Sequence, residues 1–142
     1  MKNFCKRARV WAALAVLLLF CACASVAEIS EELSPAEIIQ RAQEASDRNR
    51  YNTALQYYSA LYERNRNNID LVITAEYEIA FIHYKQRKYQ QARSELNAVL
   101  EYYNTPDEVL LPQQFKRLAA IVLERIEEKE NQKLSLSGKK AD

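Results

Sequence analysis

Few residues in this chain have side chains that could do chemistry. Cys21 and Cys23 lie two positions apart at the end of an apolar run, and His83 is the only histidine. A Cys-x-Cys pair could bind a metal ion or undergo redox chemistry, but a metal site needs further ligands and no cysteine follows Cys23. The body of the chain therefore cannot contain an internal disulfide. We expect no metal site and no redox chemistry, and we expect His83 to be a satisfied, partly buried side chain.

Glycine is nearly absent, since Gly138 in the polar C-terminal stretch is the only one. Phosphate-binding loops and dinucleotide fingerprints need glycine where the backbone approaches the ligand closely. Four glutamates between residues 124 and 130 alternate with Arg125 and Lys129, which is typical of a solvated helix face. The sequence thus predicts no catalytic residues, no cofactor and no enzymatic activity.

The N-terminal segment has the pattern of a secretory signal peptide. Residues 1–9 carry four basic side chains and no acidic one, ten apolar residues follow at 11–20, and small residues come next. The apolar run is shorter than the roughly 20 residues of a membrane span. Without residues 1–22 the chain keeps 16 basic and 19 acidic residues, so its net charge falls from +1 to −3. No basic stripe remains in the body, which argues against a nucleic-acid partner.

The stretch FCAC at residues 20–23 resembles the lipobox of bacterial lipoproteins. In that family a small residue, here Ala22, precedes the cysteine that is lipidated and becomes the new N-terminus. The resemblance implies a signal peptide over 1–22, lipidation of Cys23, and a protein anchored in the bacterial cell envelope and facing the periplasm. Ala24 after the cysteine favours the outer membrane. The alternative is simple cleavage after Ala24 or Ala27, which would leave a soluble periplasmic protein.

The next residues predict a tether and then a helix. Residues 24–34 are polar and acidic without a periodic apolar face, so we expect a flexible tether over 23–34 that reaches up to about 36 Å. Ser34, Pro35 and Glu37 form the pattern of a capped helix start. Further along, prolines at 106 and 112 predict a short turn over 106–111 and a new helix from about residue 112.

An internal repeat organises the central part of the chain. Segments 42–61 and 80–99 align without gaps at an offset of 38 residues. The matching pairs are Ala42 and Ala80, Tyr51 and Tyr89, Ala54 and Ala92, Tyr58 and Leu96, and Leu61 and Val99. The alanines allow two helices to approach closely, and the apolar residues that follow continue one helix face. Each segment therefore predicts a helical hairpin, with polar turns at 47–50 and 85–87.

The small residue in each first helix and the Tyr-x-x-Ala that opens each second helix resemble the tetratricopeptide repeat (TPR) family. Asn49 and Arg87 stand near the places of the turn glycines of that family, and the period is longer than its norm. The resemblance implies an all-α, antiparallel helix-hairpin solenoid over 35–130. It would consist of two TPR-like repeats and a C-terminal capping helix at 113–130, followed by a disordered tail at 131–142.

In helical-hairpin solenoids the first helices of successive repeats line a concave face. The residues expected on that face are Gln43, Asp47, Thr74, Tyr77, Phe81, Tyr84 and Lys85. Three of them form an aromatic stripe at helical spacing, which would supply stiff contact area for a peptide. The alternative is that these rings pack against neighbouring helices. Because two repeats and a cap are few for a solenoid, we expect an uncovered apolar strip that a partner or a second copy uses.

These patterns together predict a non-enzymatic protein–protein interaction scaffold, anchored to the membrane through its N-terminal lipid. Its expected partner is an envelope protein or a peptide segment that binds the concave face. The alternative function is a periplasmic accessory protein that holds a small hydrophobic ligand between its helices. A cavity lined by Tyr77, Phe81 and Tyr84 would favour that alternative.

Overall fold

The computed structural model describes residues 29–138, which form α-helices and one short 3-10 helix. The helices are α1 (Pro35–Asp47), α2 (Tyr51–Arg64), α3 (Ile69–Lys85), α4 (Tyr89–Glu101) and α5 (Gln113–Gly138), with the 3-10 helix at Glu108–Leu110. No strand occurs in this part of the chain. The helices α1 and α2 pack as one hairpin, α3 and α4 as a second, and α5 packs on the second hairpin. The predicted all-α fold of helix hairpins with a terminal helix is confirmed.

The start of α1 is fixed by the predicted capping box. The Ser34 hydroxyl accepts a hydrogen bond from the Glu37 N–H at 3.3 Å, and the Ser34 N–H donates to the Glu37 carboxylate at 2.9 Å. Pro35 occupies the first turn, where its missing N–H costs nothing. The bonds from Ser34 lower the pKa of Glu37, so the box is strongest with that carboxylate ionised.

The two hairpin turns repeat each other at the 38-residue offset. Asn49 and Arg87 both adopt left-handed backbone angles, with φ of 56° and 63°. The N–H that follows each of them returns to the end of the first helix, from Arg50 to the Ala45 carbonyl at 2.8 Å and from Lys88 to the His83 carbonyl at 3.0 Å. This is the bonding of a Schellman motif, which normally uses glycine at the left-handed position. The chain thus builds the same turn twice without glycine.

The repeat also accounts for the core. All the pairs named from the sequence are fully buried except the tyrosines that open the second helices, which are half-buried. The core residues form two clusters, one centred on each hairpin. The first cluster also contains Ala75 and Ile82 of α3, so the two hairpins share core residues and form one packed unit.

Helix α5 covers the second hairpin. Phe115, Ala119, Val122 and Ile126 recur at spacings of four, three and four and lie in the second core cluster. The connection before α5 contains the expected turn, and the Tyr103 hydroxyl donates to the Pro112 carbonyl at 2.8 Å. A different face of α5 is exposed and mostly polar; its residues are Gln113, Arg117, Ala120, Glu124 and Glu127.

Two boundary predictions differ from the structure. Helix α5 continues through Gly138, so the predicted tail at 131–142 is helical over 131–138, because no proline interrupts the segment after Pro112. The expected flexible tether is held down over its last residues. The Arg64 guanidinium donates to the carbonyls of Ile29 and Ser30, both at 2.9 Å, and Leu33 packs against the first core cluster.

The predicted signal peptide and Cys23 lie outside the described residues. Within 29–138, no helix is both long enough and apolar enough to cross a membrane.

Candidate functional site

The structure places Tyr77 in the core and not on an open groove. Its exposed fraction is 4%, its ring stacks on Phe81 at 5.9 Å between centroids, and it lies 5.1 Å from the Phe115 ring of α5. The prediction that Tyr77 binds a partner directly is therefore wrong. Helix α5 crosses this part of α3 and covers the ring, which the spacing within α3 could not reveal.

The aromatic stripe continues along α3 as a stack of half-buried rings. Phe81 and Tyr84 stack at 5.9 Å, and Tyr84 in turn lies 5.9 Å from the Tyr89 ring of α4. Both residues pack against the second core cluster. The three predicted cavity residues thus pack on one another, and the stack leaves only parts of Phe81 and Tyr84 for a ligand.

Lys85 connects the two hairpins. Its ammonium donates to the hydroxyl of Ser46 at the end of α1 and lies 5.5 Å from the Tyr51 ring and 5.1 Å from the Phe81 ring. A cation between two aromatic faces is attracted to both. Lys85 was predicted to bind the backbone or a terminus of a partner. In the structure its ammonium instead contacts Ser46 of α1 and Tyr51 of α2 and so connects α3 to the first hairpin.

The other predicted site residues divide by exposure. Gln43 and Asp47 are exposed on α1, as a contact surface requires. Thr74 is half-buried, and its hydroxyl donates to the Asp70 carbonyl one turn earlier at 2.7 Å. That bond satisfies the Thr74 hydroxyl within its own helix.

Glu78 is a functional candidate that sequence reasoning missed. It precedes Phe81 by three positions on the same face of α3, and it is partly buried beside Tyr58. Burial raises the pKa of Glu78, while the charge of Lys85 lowers it. Burial, and then the charge of Glu78, raise the pKa of Tyr58. The Tyr58 hydroxyl lies beside the Glu78 carboxylate but makes no hydrogen bond of good geometry in the part of the chain described. The signal in the sequence was a pair of acidic residues, Glu76 and Glu78, within the apolar middle of α3.

Leu118 and Ile121 on α5 were missed as well. Their exposed fractions are 39% and 43%, and with Arg125 they follow the three- and four-residue spacing of one helix face. Arg125 lies close enough to lower the pKa of Tyr77, which burial and then Glu78 raise, giving a value of about 12. Because α5 packs on α3 through Phe115 and Tyr77, we infer that this face of α5 adjoins the Glu78 face of α3. We call the joint surface the inner strip; its residues are Glu78, Phe81, Leu118, Ile121 and Arg125.

His83 lies on the opposite face of α3 and is satisfied, as predicted. It is 7% exposed, and its Nδ1 lies 2.6 Å from a Glu95 carboxylate oxygen. Gln91 bonds the other oxygen of Glu95 at 3.0 Å and lies 3.4 Å from the His83 Nε2. Both ring nitrogens therefore have protein partners. Over residues 29–138 no group of three His, Cys, Asp or Glu side chains could hold a metal ion.

Comparison with known proteins adds one relative. The chain is 36% identical over 121 residues to an uncharacterized protein of Treponema pallidum (strain Nichols), which covers 83% of this chain and 48% of the relative. The chain thus spans about half the length of that relative. No family model matches the chain, and no solved structure matches it.

Proposed function

We propose that this chain is a non-enzymatic interaction scaffold of the TPR type that binds a partner segment along the inner strip. The observation that carries the proposal is the exposure of Leu118 and Ile121 beside half-buried Phe81. Three apolar side chains on two adjacent helices form a strip that the core leaves in contact with water. Partner binding would remove that apolar surface from water.

The charges around the strip suggest the chemistry of the partner. Arg125 is exposed and pairs with no acid within 4 Å in the described region, whereas Glu78 is partly buried near Lys85. Gln43 and Asp47 extend the surface onto α1. A peptide segment with two or three apolar side chains and a carboxylate near Arg125 fits this arrangement. The partner is an envelope protein or, as a variant of the same proposal, a second copy of this chain.

Charged substitutions on the strip test the proposal. Leu118→Glu/Ile121→Glu places two carboxylates on it without touching the core, and we expect the partner crosslinked from native envelopes to be lost. The matched control is Val109→Glu/Leu110→Glu, because these side chains are 75% and 77% exposed and lie on the connection before α5. Retention of the partner by both double variants would contradict the proposal. The sedimentation coefficient of each purified variant shows whether the partner is a second copy of the chain. If it is, the unaltered chain and the control variant sediment as dimers and the strip variant as a monomer.

The proposed location is the bacterial cell envelope, with the chain anchored by lipid at Cys23 and facing the periplasm. Metabolic labelling with palmitate tests the anchor. We expect the label to be lost in Cys23→Ser and kept in Cys21→Ser. No label on the unaltered chain would favour simple cleavage and a soluble periplasmic protein, because both cysteines would leave with the signal peptide.

A further inference from the structure

A pocket lies on the face of α3 that points away from the inner strip. Its volume is about 280 Å³, and it is lined by residues of three helices, namely Tyr62, Glu76, Ile79, Glu95 and Ala98. Glu76 and Ile79 are three residues apart on α3, whereas the inner-strip residues Glu78 and Phe81 lie on the opposite side of that helix. The volume is below that of a typical drug-sized site, so the pocket suits a compact group.

The lining combines apolar walls with two carboxylates. Ile79 and Ala98 provide the apolar part, and the ring of Tyr62 adds an aromatic face. Glu76 interacts with the Tyr102 hydroxyl, and burial raises the pKa of this glutamate. A carboxylate that is partly removed from water next to apolar walls gains from a cation that enters the same space.

Glu95 is held in place on the other side of the pocket. Its two oxygens are bonded by His83 and by Gln91, as described above. The His83 Nε2 lies 3.4 Å from the Gln91 amide nitrogen. This network fixes the orientation of Glu95.

No lysine or arginine of the described chain pairs with either carboxylate. Neither Glu76 nor Glu95 has a Lys or Arg partner within 4 Å over residues 29–138. Arg66 stacks on the Tyr62 ring at 5.7 Å, but its guanidinium is paired with Glu63. The pocket thus combines two carboxylates with apolar walls, and neither carboxylate is paired with a lysine or arginine.

We propose that this pocket binds a protonated primary amine on a short apolar stem, with the ammonium between Glu76 and Glu95 and the stem against Ile79 and Ala98. An ammonium is compact and carries three donors, which matches carboxylates on two sides of a small space. The amine is either a free small molecule or the side chain of a lysine in a peptide. This binding is separate from the partner binding proposed for the inner strip.

The experiment is a titration of the full chain in detergent micelles, followed by the backbone amide NMR shifts of Ile79 and Ala98. The probes are n-butylamine, its neutral analogue 1-butanol, and the capped tripeptide acetyl-Gly-Lys-Gly-amide, each at pH 7. We expect saturable shifts with n-butylamine and binding of 1-butanol that is about tenfold weaker or less. Saturation by the tripeptide alone would assign the site to a lysine side chain, and saturation by the free amine alone to a small molecule.

Two variants locate the binding. Glu76→Gln keeps the shape but removes the charge, and should weaken n-butylamine binding about tenfold. Ala98→Leu fills the pocket and should abolish binding. Glu101→Gln, on the exposed end of α4, is the matched control and should bind as the unaltered chain does. Leu118→Glu/Ile121→Glu should also bind normally, which separates this site from the inner strip.

Three outcomes would overturn the proposal. The first is equal binding of n-butylamine and 1-butanol, since charge would then play no part. The second is unchanged binding in Ala98→Leu, because the ligand would then lie elsewhere. The third is the absence of saturable shifts with either amine up to about 10 mM, a concentration that corresponds to a very weak site.

Discussion

Hairpins α1–α2 and α3–α4 make the same turn with the same hydrogen bonds 38 residues apart, yet they differ at several equivalent positions. Ala45 of the first hairpin corresponds to His83 of the second, and Asp47 corresponds to Lys85. His83 forms hydrogen bonds in a network with Glu95 and Gln91, and Lys85 connects the two hairpins through Ser46. The hairpin conformation of the backbone therefore depends on a few small and apolar residues. The residues between them can differ in charge and hydrogen bonding without changing that conformation.

A further difference lies at the buried position occupied by Tyr58 in the first hairpin and by Leu96 in the second. Both side chains are fully buried, but the tyrosine brings a hydroxyl that lies beside Glu78 without a well-formed hydrogen bond in the described region. The second hairpin fills the equivalent space without that polar group. Stability measurements on paired substitutions can show how far the two hairpins are energetically alike.

The largest effect is expected from removing core leucines. Leu61→Ala in the first hairpin and Leu96→Ala in the second should each lower the free energy of unfolding by about 3 kcal/mol, because each leaves a cavity at a fully buried site. Urea unfolding followed by far-UV circular dichroism gives both values. Since the first core cluster includes Ala75 and Ile82, each variant should still unfold in one transition. Two separate transitions would show that the hairpins fold independently.

The next effect concerns the Tyr58 and Leu96 position. Tyr58→Phe should raise the free energy of unfolding by about 1 kcal/mol, because it removes a buried hydroxyl whose contact with Glu78 is not a well-formed hydrogen bond. The reciprocal Leu96→Tyr should lower it by about 2 kcal/mol through overpacking and a new buried hydroxyl. Chemical denaturation of both variants beside the parent chain provides the comparison. A loss of stability in Tyr58→Phe would mean that the hydroxyl has a partner after all.

The same pair predicts a pH dependence. The folded pKa of Tyr58 is raised above its ordinary value of 10.0, so the folded state holds the proton more tightly than the unfolded state. The contribution of this group to stability is therefore complete below about pH 10 and is lost as the pH rises above it. Thermal unfolding between pH 9 and 11 should show a smaller fall in Tyr58→Phe than in the parent chain.

A smaller effect is expected at the left-handed turn residues. Arg87→Gly should raise the free energy of unfolding by about 0.5–1 kcal/mol, because glycine adopts positive φ without a steric cost. Asn49→Gly should change it little, since asparagine tolerates that conformation and its side chain accepts a hydrogen bond from the Tyr51 hydroxyl at 2.7 Å. Differential scanning calorimetry measures both. Equal gains would mean that the two turns are equally strained.

The smallest effect is expected on the inner strip. Glu78→Gln gives α3 the residue that α1 has at the equivalent position, Gln40. The pKa of Glu78 is raised, so its ionisation disfavours folding at pH 7 and the cost disappears as the pH falls towards 4. The variant should gain about 0.5 kcal/mol at pH 7 and nothing at pH 4. Thermal unfolding at both pH values tests this, with exposed Glu127→Gln as the control.

Much of the fold follows from local signals in the sequence. The capping box at Ser34, the 38-residue repeat and the two prolines before α5 act within one helix or one hairpin, and each appears where it was predicted. The burial of Tyr77 and the exposure of Ile121 depend on where α5 crosses α3. Spacing within a helix gives the face on which a residue lies but does not tell which neighbour covers that face.

Contacts between residues far apart in the sequence could not be predicted either, because spacing within one helix does not show which other helix lies against it. The pocket beside Glu76 draws its lining from three helices, and no single motif combines those residues. The sequence predicted that His83 would have hydrogen-bond partners, but it did not identify them. The partner Glu95 lies twelve residues away on another helix. The hydrogen bond from the Arg64 guanidinium to the Ile29 carbonyl joins residues 35 positions apart, and no periodic pattern in the sequence indicates it.

Under the proposed anchoring at Cys23, the Arg64 clamp would limit how far the domain lies from a membrane, because only residues 24–28 separate the anchor from the clamped carbonyls. These five residues span at most about 17 Å. The eleven residues of the full tether would have reached about 36 Å. Since the accessible volume scales with the cube of the reach, the clamp would confine the domain to about one tenth of that space. A partner in the same membrane would meet the domain at a correspondingly higher effective concentration.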